Sequence, residues 1–145
     1  NTYVHTCELN ILSIEKDCSE MFSSAHFDGH DTITIDAHTL VVDSMFRRTN
    51  LKEVEFKNCY LSSVEKPFAS SEINHLILNN CSIDLYKYLD CNYGEFACSN
   101  LLPTLIGDSD VEKITLVNCD DSFIEEFMEH IRLEDDFNEL EIVIE

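Results

Sequence analysis

The sequence predicts an α/β fold, a short solenoid with about five to six parallel strands on its concave side and short helices and loops on its convex side. Three observations predict it. The dipeptide Asn-Cys occurs three times, at Asn58, Asn80 and Asn118, each time directly behind an alternating apolar strand. The first two copies are 22 positions apart. One strongly amphipathic helix follows the third copy, so strands outnumber helices throughout.

The three copies share one apolar pattern. The first copy spans 51–61, the second 73–83 and the third 111–119. In each copy the cysteine follows the first of two alternating inward residues by five positions; these first residues are Val54, Leu76 and Ile114. Val54 and Leu76 are 22 positions apart, whereas Leu76 and Ile114 are 38 apart, because extra length falls within 84–108. Weaker copies lie at 31–40, where His38 takes the place of the cysteine, and at 137–145. Residues 7–14 supply a further candidate strand, with Leu9 and Ile11 as its inward residues.

This pattern resembles the leucine-rich repeat family, whose motif is L-x-x-L-x-L-x-x-[NC]-x-L. The resemblance covers residues 31–145, although the spacing is irregular and the third copy has no apolar residue two positions after Cys119. It implies that the Asn or Cys side chain points into the solenoid and bonds backbone groups at the turn. We therefore expect Cys59, Cys81 and Cys119 to be buried free thiols that stack as neighbouring rungs.

The segments between strands also carry inward residues. Residues 62–68 resemble the extracellular variant of the repeat, in which Val64 and Phe68 would fill the convex side. Residues 43–49 predict a short helical turn with Met45 and Phe46 inward.

The predicted helix lies within 121–137. Ser122 followed by Glu125 reads as a capping box at its start. Its apolar stripe is expected to pack on the chain's own core and comprises Phe123, Ile124, Phe127, Met128 and Ile131.

The domain organisation predicted for the 145 residues is a single domain over 1–145. Residues 1–30 are its N-terminal cap, 84–108 an insertion and 137–145 a terminal strand. No secretion-signal layout follows Asn1, so we expect a mature form or an excised domain. No apolar run reaches the roughly 20 residues that cross a bilayer, which predicts no membrane insertion.

The net charge is −20, from 9 Lys and Arg against 29 Asp and Glu. Such a field repels phosphate backbones and anionic lipid heads, and it accepts a basic protein partner. We therefore predict a protein partner and no nucleic acid.

Four of the seven cysteines lie outside the repeats, in two close pairs: Cys7 with Cys18, and Cys91 with Cys98. Local pairs predict two short-loop disulfides and a secreted or extracellular protein. The alternative is a reduced cytoplasmic chain with seven thiols.

Metal, cofactor and catalytic sites are not predicted. Three ladder cysteines with His38 would have to converge on one zinc ion, yet adjacent strands stand about 4.8 Å apart. The His- and Asp-rich segment 26–38 matches no known ligand spacing, and an acidic turn at Gly29 explains it equally well. Phosphate-cradling loops and serine nucleophile elbows do not occur in the sequence. The chain is therefore predicted to be non-enzymatic.

The predicted function is recognition of a protein partner through one of two surfaces. The first is the concave face, whose outward residues are Glu53, Glu55, Lys57, His75, Ile77, Asn79, Lys113, Thr115 and Val117. The second is the insertion 84–108, whose aromatic candidates are Tyr86, Tyr88, Tyr93 and Phe96. Leucines at 101–105 equally predict that the insertion folds back as an ordinary return segment.

Two alternatives stay open. The chain is also similar to the substrate-binding repeats of intracellular F-box-type adaptors, although no F-box helix precedes it. The third reading is a structural subunit, a homo-oligomer or a longer parent chain that pairs through the edge of the terminal strand at 139–145.

Overall fold

The computed structural model describes residues 3–4, 7–11, 16–27, 32–91, 97–134, 137 and 139–145. Within them the chain forms strands, two α-helices and one 3-10 helix. The strands are β1 Tyr3–Val4, β2 Cys7–Ile11, β3 Lys16–Asp17, β4 His26–Phe27, β5 Thr32–Ala37, β6 Thr39–Val41, β7 Asn50–Lys57, β8 Tyr60–Ser63, β9 Ser71–Asn79, β10 Ser82–Ile83, β11 Leu89–Cys91, β12 Ala97–Ser99, β13 Ser109–Val117 and β14 Glu141–Ile144. The helices are the 3-10 helix Leu85–Tyr88, α1 Leu101–Ile106 and α2 Asp121–Arg132.

The main sheet has six strands in the order β2-β5-β7-β9-β13-β14, and every neighbouring pair is parallel. The α/β class and the parallel sheet are therefore confirmed. Neighbours in the sheet are also successive along the chain, apart from the short strands that lie between them. The strand predicted around Leu9 and Ile11 is β2, which pairs with β5.

A second, four-stranded parallel sheet has the order β3-β6-β8-β10. Its strands alternate along the chain with those of the main sheet, and Asn58 and Cys59 join β7 to β8 as Asn80 and Cys81 join β9 to β10. The sequence predicted only helices and loops on this side. After the third Asn-Cys, α2 follows instead of a second-sheet strand.

The core is built from alternate residues of the main-sheet strands. Two rows of fully buried side chains run across the sheet in register: Ile33, Val54, Leu76 and Ile114, and beside them Ile35, Phe56, Leu78 and Leu116. Branched and aromatic side chains suit these positions because they fill the space between pleated strands.

Three phenylalanines, from three successive return segments, stack on one another. The ring of Phe46 lies 5.3 Å from that of Phe22 and 5.7 Å from that of Phe68, both nearly parallel. Met45, Phe46, Val64 and Phe68 are fully buried, so their predicted inward placement is confirmed. Residues 43–48 form turns rather than a helix.

Helix α2 begins at Asp121 with Asp120 as its N-cap residue, and the Asp120 carbonyl accepts the Ile124 N–H at 2.9 Å. Ser122 therefore lies inside the first turn, and the predicted capping box is wrong. The apolar stripe is confirmed, since Phe123 and Phe127 are buried and the other three members pack against the core.

The insertion 84–108 contains the 3-10 helix, the antiparallel pair β11–β12 and α1. Leu101, Leu102, Leu105 and Ile106 are buried, so this part folds back onto the core, as one of the two readings predicted. The Leu102 N–H donates to both carboxylate oxygens of Glu134, at 3.0 and 2.8 Å, which ties α1 to the end of α2. Within the described residues neither helix is long and apolar enough to cross a bilayer.

Candidate functional site

The outer face of the main sheet is formed by the side chains that alternate with the two buried rows. The strand registers arrange it in three rows: Thr32, Glu53, His75, Lys113 and Glu141; then Thr34, Glu55, Ile77, Thr115 and Val143; then Asp36, Lys57, Asn79 and Val117. All residues predicted for the concave face are thus brought together on one surface.

The residues of the outer face differ in how much of each is exposed to solvent. Lys57 is exposed, and Glu53, Glu55, His75, Ile77, Asn79, Lys113 and Val117 are half-buried. Thr115 is only 3% exposed, so its predicted role as a contact residue is wrong. Its neighbours in the row, Ile77 and Val143, flank it, and a His75 ring nitrogen lies against its hydroxyl.

Glu53, His75 and Thr115 form one polar network on the outer face. Thr115 Oγ1 lies 2.6 Å from His75 Nε2, and His75 Nδ1 lies 3.6 Å from Glu53 Oε2. The order hydroxyl, imidazole, carboxylate is that of a nucleophile relay. A nucleophile has to meet its substrate, however, and the Thr115 hydroxyl belongs to a buried residue. The network therefore fixes the two half-buried side chains in place.

A second network centres on Glu55. Its carboxylate accepts the Asn79 amide at 3.2 Å and the Thr34 hydroxyl at 3.4 Å. These three residues lie on three adjacent strands, so the network connects β5, β7 and β9, with Asn79 one row beyond Glu55. Both acidic side chains at the centre of the outer face are therefore held by their neighbours.

An amide ladder edges the outer face where the strands end. Asn80 Nδ2 donates to Asn58 Oδ1 at 2.9 Å, and Asn58 Nδ2 reaches both Asp36 carboxylate oxygens at 3.2 and 3.3 Å. Asn58, Asn80 and Asn118 have φ values of 58°, 52° and 51°, in the left-handed region. Asn58 and Asn80 are exposed. The cysteine holds the Asn-or-Cys position of the motif in all three copies, and the asparagine before it is exposed.

The cysteines of the three turns form the inner row. The Sγ atoms of Cys59, Cys81 and Cys119 donate to the carbonyls of Ile35, Phe56 and Leu78, at 3.6, 3.0 and 3.4 Å. Each accepting carbonyl belongs to the preceding main-sheet strand. All three are free thiols, as predicted; Cys59 and Cys81 are buried and Cys119 is half-buried. His38, aligned with them in sequence, is exposed, because this single residue joins β5 to β6 where two join β7 to β8.

Burial and mutual contact change the acidity of these thiols. The side-chain hydrogen bond with Cys59, together with burial, raises the pKa of the Cys81 thiol above its ordinary value of 9.0. Burial raises the pKa of the Cys119 thiol as well. The same hydrogen bond lowers the pKa of the Cys59 thiol, which is itself buried. Buried thiols are poorly accessible to a substrate, so the row is suited to packing rather than to chemistry.

The aromatic residues of the insertion that were predicted to bind a partner differ in how exposed they are. Tyr86 is 76% exposed, but Tyr88 is 7% exposed and its hydroxyl accepts the Val64 N–H at 3.3 Å. Tyr88 is thus a core residue, and its predicted binding role is wrong. Burial raises the pKa of its phenol. Tyr93 and Phe96 lie outside the described residues.

The disulfide candidates are only partly visible. Cys18 is buried, at 1% exposure. The side chains of Cys7, Cys91 and Cys98 lie outside the described part of the chain. The backbone register of β11 and β12 places Asp90 opposite Cys98 and Cys91 opposite Ala97. Both pairings remain predictions.

Cavities lie away from the outer face at two places among the described residues. One, of about 790 Å³, lies at the amino-terminal ends of β9 and β13 and is lined by carboxylates that include Glu72, Asp110 and Glu139. The other, of about 210 Å³, lies between the 3-10 helix and α2. Within the described residues, no group of three His, Cys, Asp or Glu is placed to hold a metal ion.

The smaller cavity contains residues that the sequence did not single out. They are Leu85, Glu126, Glu129, His130 and Leu133, which join the predicted Tyr86. The available signal was Leu133, an apolar residue that directly follows the last helical residue of α2 and lies four positions after Glu129.

No family model, curated protein or solved structure matches this chain.

Proposed function

We propose that this chain is a non-enzymatic recognition scaffold, a short solenoid of the leucine-rich repeat type, and that a protein partner docks on the outer face of its main sheet. Three features support the solenoid. Main-sheet strands neighbour each other in chain order, the cysteine rungs bond from one strand to the next, and the phenylalanine stack repeats once for each return segment. These features match what the resemblance implies.

The observation that carries the proposed function is the fixed polar surface on the outer face. Glu55 is held between Asn79 and Thr34, and His75 lies between Glu53 and Thr115. Side chains already held by neighbours lose little conformational entropy when a partner binds. Placement on strands also positions contacts more accurately than placement on loops.

The charge of the chain indicates the chemistry of the partner. Glu53 and Glu55 lie side by side along β7 on the same face, and the whole chain carries −20. A basic partner surface would approach faster in this field and pair with these carboxylates, whereas acidic surfaces are repelled.

The test is affinity capture with the purified chain, compared with the variant Glu53→Lys/Glu55→Lys. The matched control is Glu65→Lys/Glu125→Lys, which makes the same change in net charge on exposed residues outside the main sheet. We expect a partner that binds the wild type and the control and that loses affinity for the outer-face variant by at least about tenfold. The proposal fails if the outer-face variant and the control variant bind the partner equally. Loss of the partner at high salt would implicate the acidic field, and persistence would point to the insertion 84–108.

Localisation is tested by counting free thiols in the denatured, unreduced chain. Three free thiols, those of Cys59, Cys81 and Cys119, would support the secreted or extracellular reading. Seven would support the cytoplasmic, adaptor-type alternative.

One observation favours the assembly alternative. Strand β14 pairs only with β13 within the described sheet, and Ile144 on it is 48% exposed. An unpaired parallel edge can add a strand from another chain. Sedimentation velocity distinguishes the assembly alternative from the recognition proposal. A monomer at the highest soluble concentration would rule out assembly and leave the recognition proposal intact.

A further inference from the structure

We propose that the cavity between the 3-10 helix and α2 is a second binding site, which takes the apolar anchor residue of a basic peptide segment. We call it the α2 pocket, and its residues are Leu85, Tyr86, Glu126, Glu129, His130 and Leu133. It shares no residue with the outer face, so the inference goes beyond the proposed function and stands independently of it.

The apolar residues of the α2 pocket indicate that its occupant presents an apolar anchor residue. Leu85 and His130 are buried, at 3% and 6% exposure, and form its base. Tyr86 and Leu133, two of the few large apolar side chains that are exposed among the described residues, form its sides at 76% and 42% exposure. Single exposed hydrophobic residues are ordinary, but two that share one cavity make a contiguous apolar patch. A volume of about 210 Å³ suits one large aliphatic or aromatic side chain.

The rim of the pocket is acidic. Glu126 and Glu129 both line it, and Glu129 forms an ion pair with Arg132 of the same helix. Helix α2 as a whole carries Asp121, Glu125, Glu126 and Glu129 against Arg132 alone. Burial lowers the pKa of His130, so its imidazole brings no positive charge to the base near neutral pH. A cation beside the anchor would therefore find carboxylates within reach.

Charge complementarity indicates that the occupant of the α2 pocket is a basic segment. A second copy of this chain would bring another −20 charges, and an anionic membrane surface would be repelled in the same way. A segment with one Leu, Met, Phe or Trp next to Lys or Arg satisfies both the apolar sides and the acidic rim. Rim charge then sets the association rate, and the desolvated anchor sets most of the residence time.

The experiment is selection of a random dodecapeptide display library on the full chain, followed by fluorescence polarisation with the enriched peptides. We expect enrichment of an apolar residue next to Lys or Arg. Leu133→Ser and Tyr86→Ala should each weaken binding by about tenfold or more, and Glu126→Gln should weaken it several-fold and flatten its dependence on salt. Tyr60→Ala and Glu125→Gln are the matched controls, since both residues are exposed and neither lines the pocket.

Three outcomes would overturn the proposal. They are no enrichment, enriched peptides that bind Leu133→Ser and Tyr86→Ala as well as the wild type, and affinity that survives replacement of the apolar residue by Ala. Because Glu126→Gln alters only an exposed carboxylate, it tests the pocket even if Leu133→Ser disturbs folding. Peptides that fail to bind Glu53→Lys/Glu55→Lys but still bind every pocket variant would support the outer face as their binding site and overturn the α2 pocket. The outer-face proposal and the α2-pocket proposal therefore fail separately.

Discussion

The left-handed residues of the turns explain why Asn precedes Cys. Ten non-glycine residues among those described have φ between 47° and 60°, and three of them are the asparagines of the Asn-Cys turns. Asparagine tolerates this region better than other side chains with a Cβ atom. The left-handed turn keeps Asn outside, where it joins the amide ladder, and directs the following Cys inward.

Replacing Asn58 separates the two contributions of this residue. Asn58→Ala loses the ladder hydrogen bonds and keeps a strained backbone, and we expect it to lower the free energy of unfolding by about 2 kcal/mol. Asn58→Gly loses the same hydrogen bonds without strain and should cost about 1 kcal/mol less. Urea denaturation measures both. Asn74→Ala, an exposed asparagine within β9, is the control and should change little; equal losses for Ala and Gly at position 58 would contradict the strain argument.

Side-chain direction at the turn could be predicted only in part. The sequence indicated the burial of Cys59 and Cys81 correctly because a small, weakly polar thiol is suited to the interior, whereas Cys119 is half-buried. It did not indicate that the asparagines lie outside, because strand alternation ends at Lys57 and the left-handed residue resets it. Thr115 and Tyr88 were misplaced for a related reason: neighbours distant in the chain cover them.

The Cys119 thiol should make stability fall at alkaline pH. Burial raises its pKa in the folded chain, whereas the unfolded thiol ionises near its ordinary value of 9.0. The folded state therefore holds the Cys119 proton more tightly. Its contribution to stability is complete below about pH 9 and is lost as the pH rises further, by up to about 1.4 kcal/mol per pH unit.

A variant that cannot ionise at position 119 isolates this effect. We expect the difference in unfolding free energy between wild type and Cys119→Ser to narrow between pH 8 and pH 10, measured by urea denaturation under reducing conditions. Leu40→Ala, a core variant without a titrating group, is the control and should keep a constant difference. A constant difference for Cys119→Ser would show that this thiol does not control the alkaline slope.

At the scale of elements, the phenylalanine stack connects successive return segments. Phe46 is fully buried between Phe22 and Phe68, and its ring also meets Phe56 of β7 edge-on at 6.4 Å. It thereby joins the second-sheet side of the core to the main sheet. Offset or tilted aromatic contacts of this kind stabilise beyond the area they bury.

Truncating the centre of the stack should be far more harmful than truncating its end. Phe46→Ala is expected to lower the free energy of unfolding by about 3–5 kcal/mol, because it leaves a cavity that neighbours cannot fill. Phe22→Ala, at a half-buried residue, should cost clearly less, and Phe46→Leu should restore most of the loss. Guanidinium denaturation measures all three; similar losses at positions 22 and 46 would contradict a central role for Phe46.

Strands and helices long enough to show the spacing of their apolar residues could be predicted from the sequence, whereas short ones could not. The alternation in β7 and β9 and the stripe of α2 lie in segments long enough to show their period. The second sheet consists of strands of two to four residues, which contain too few alternations to read. Helix α1 spans only six residues and includes Pro103, which by itself argues against a helix interior.

For the whole molecule, the charge of −20 should act against the compact state. Raising NaCl from 0.01 to 1 M shortens the screening length from about 30 Å to about 3 Å. We expect the melting temperature to rise by a few degrees, since about 1 kcal/mol of relieved repulsion corresponds to roughly 4 °C. Circular dichroism measures it, and KCl should act like NaCl because the effect is screening. A melting temperature that falls with salt would show that attractive ion pairs outweigh repulsion.

The equal step between β7 and β9 has a consequence for how such a chain can change length. Leu51 and Val54 of β7 stand opposite Ile73 and Leu76 of β9, a shift of 22 positions at both pairs. Excision of residues 50–71 would therefore splice Thr49 to Glu72 and bring Leu76 and Leu78 against Ile33 and Ile35 with every inward residue still facing inward. Duplication of the same stretch would widen the surface by one strand, or about 4.8 Å. Gain or loss in whole 22-residue steps is thus a route by which the area of the outer face can be adjusted without redesigning the interior.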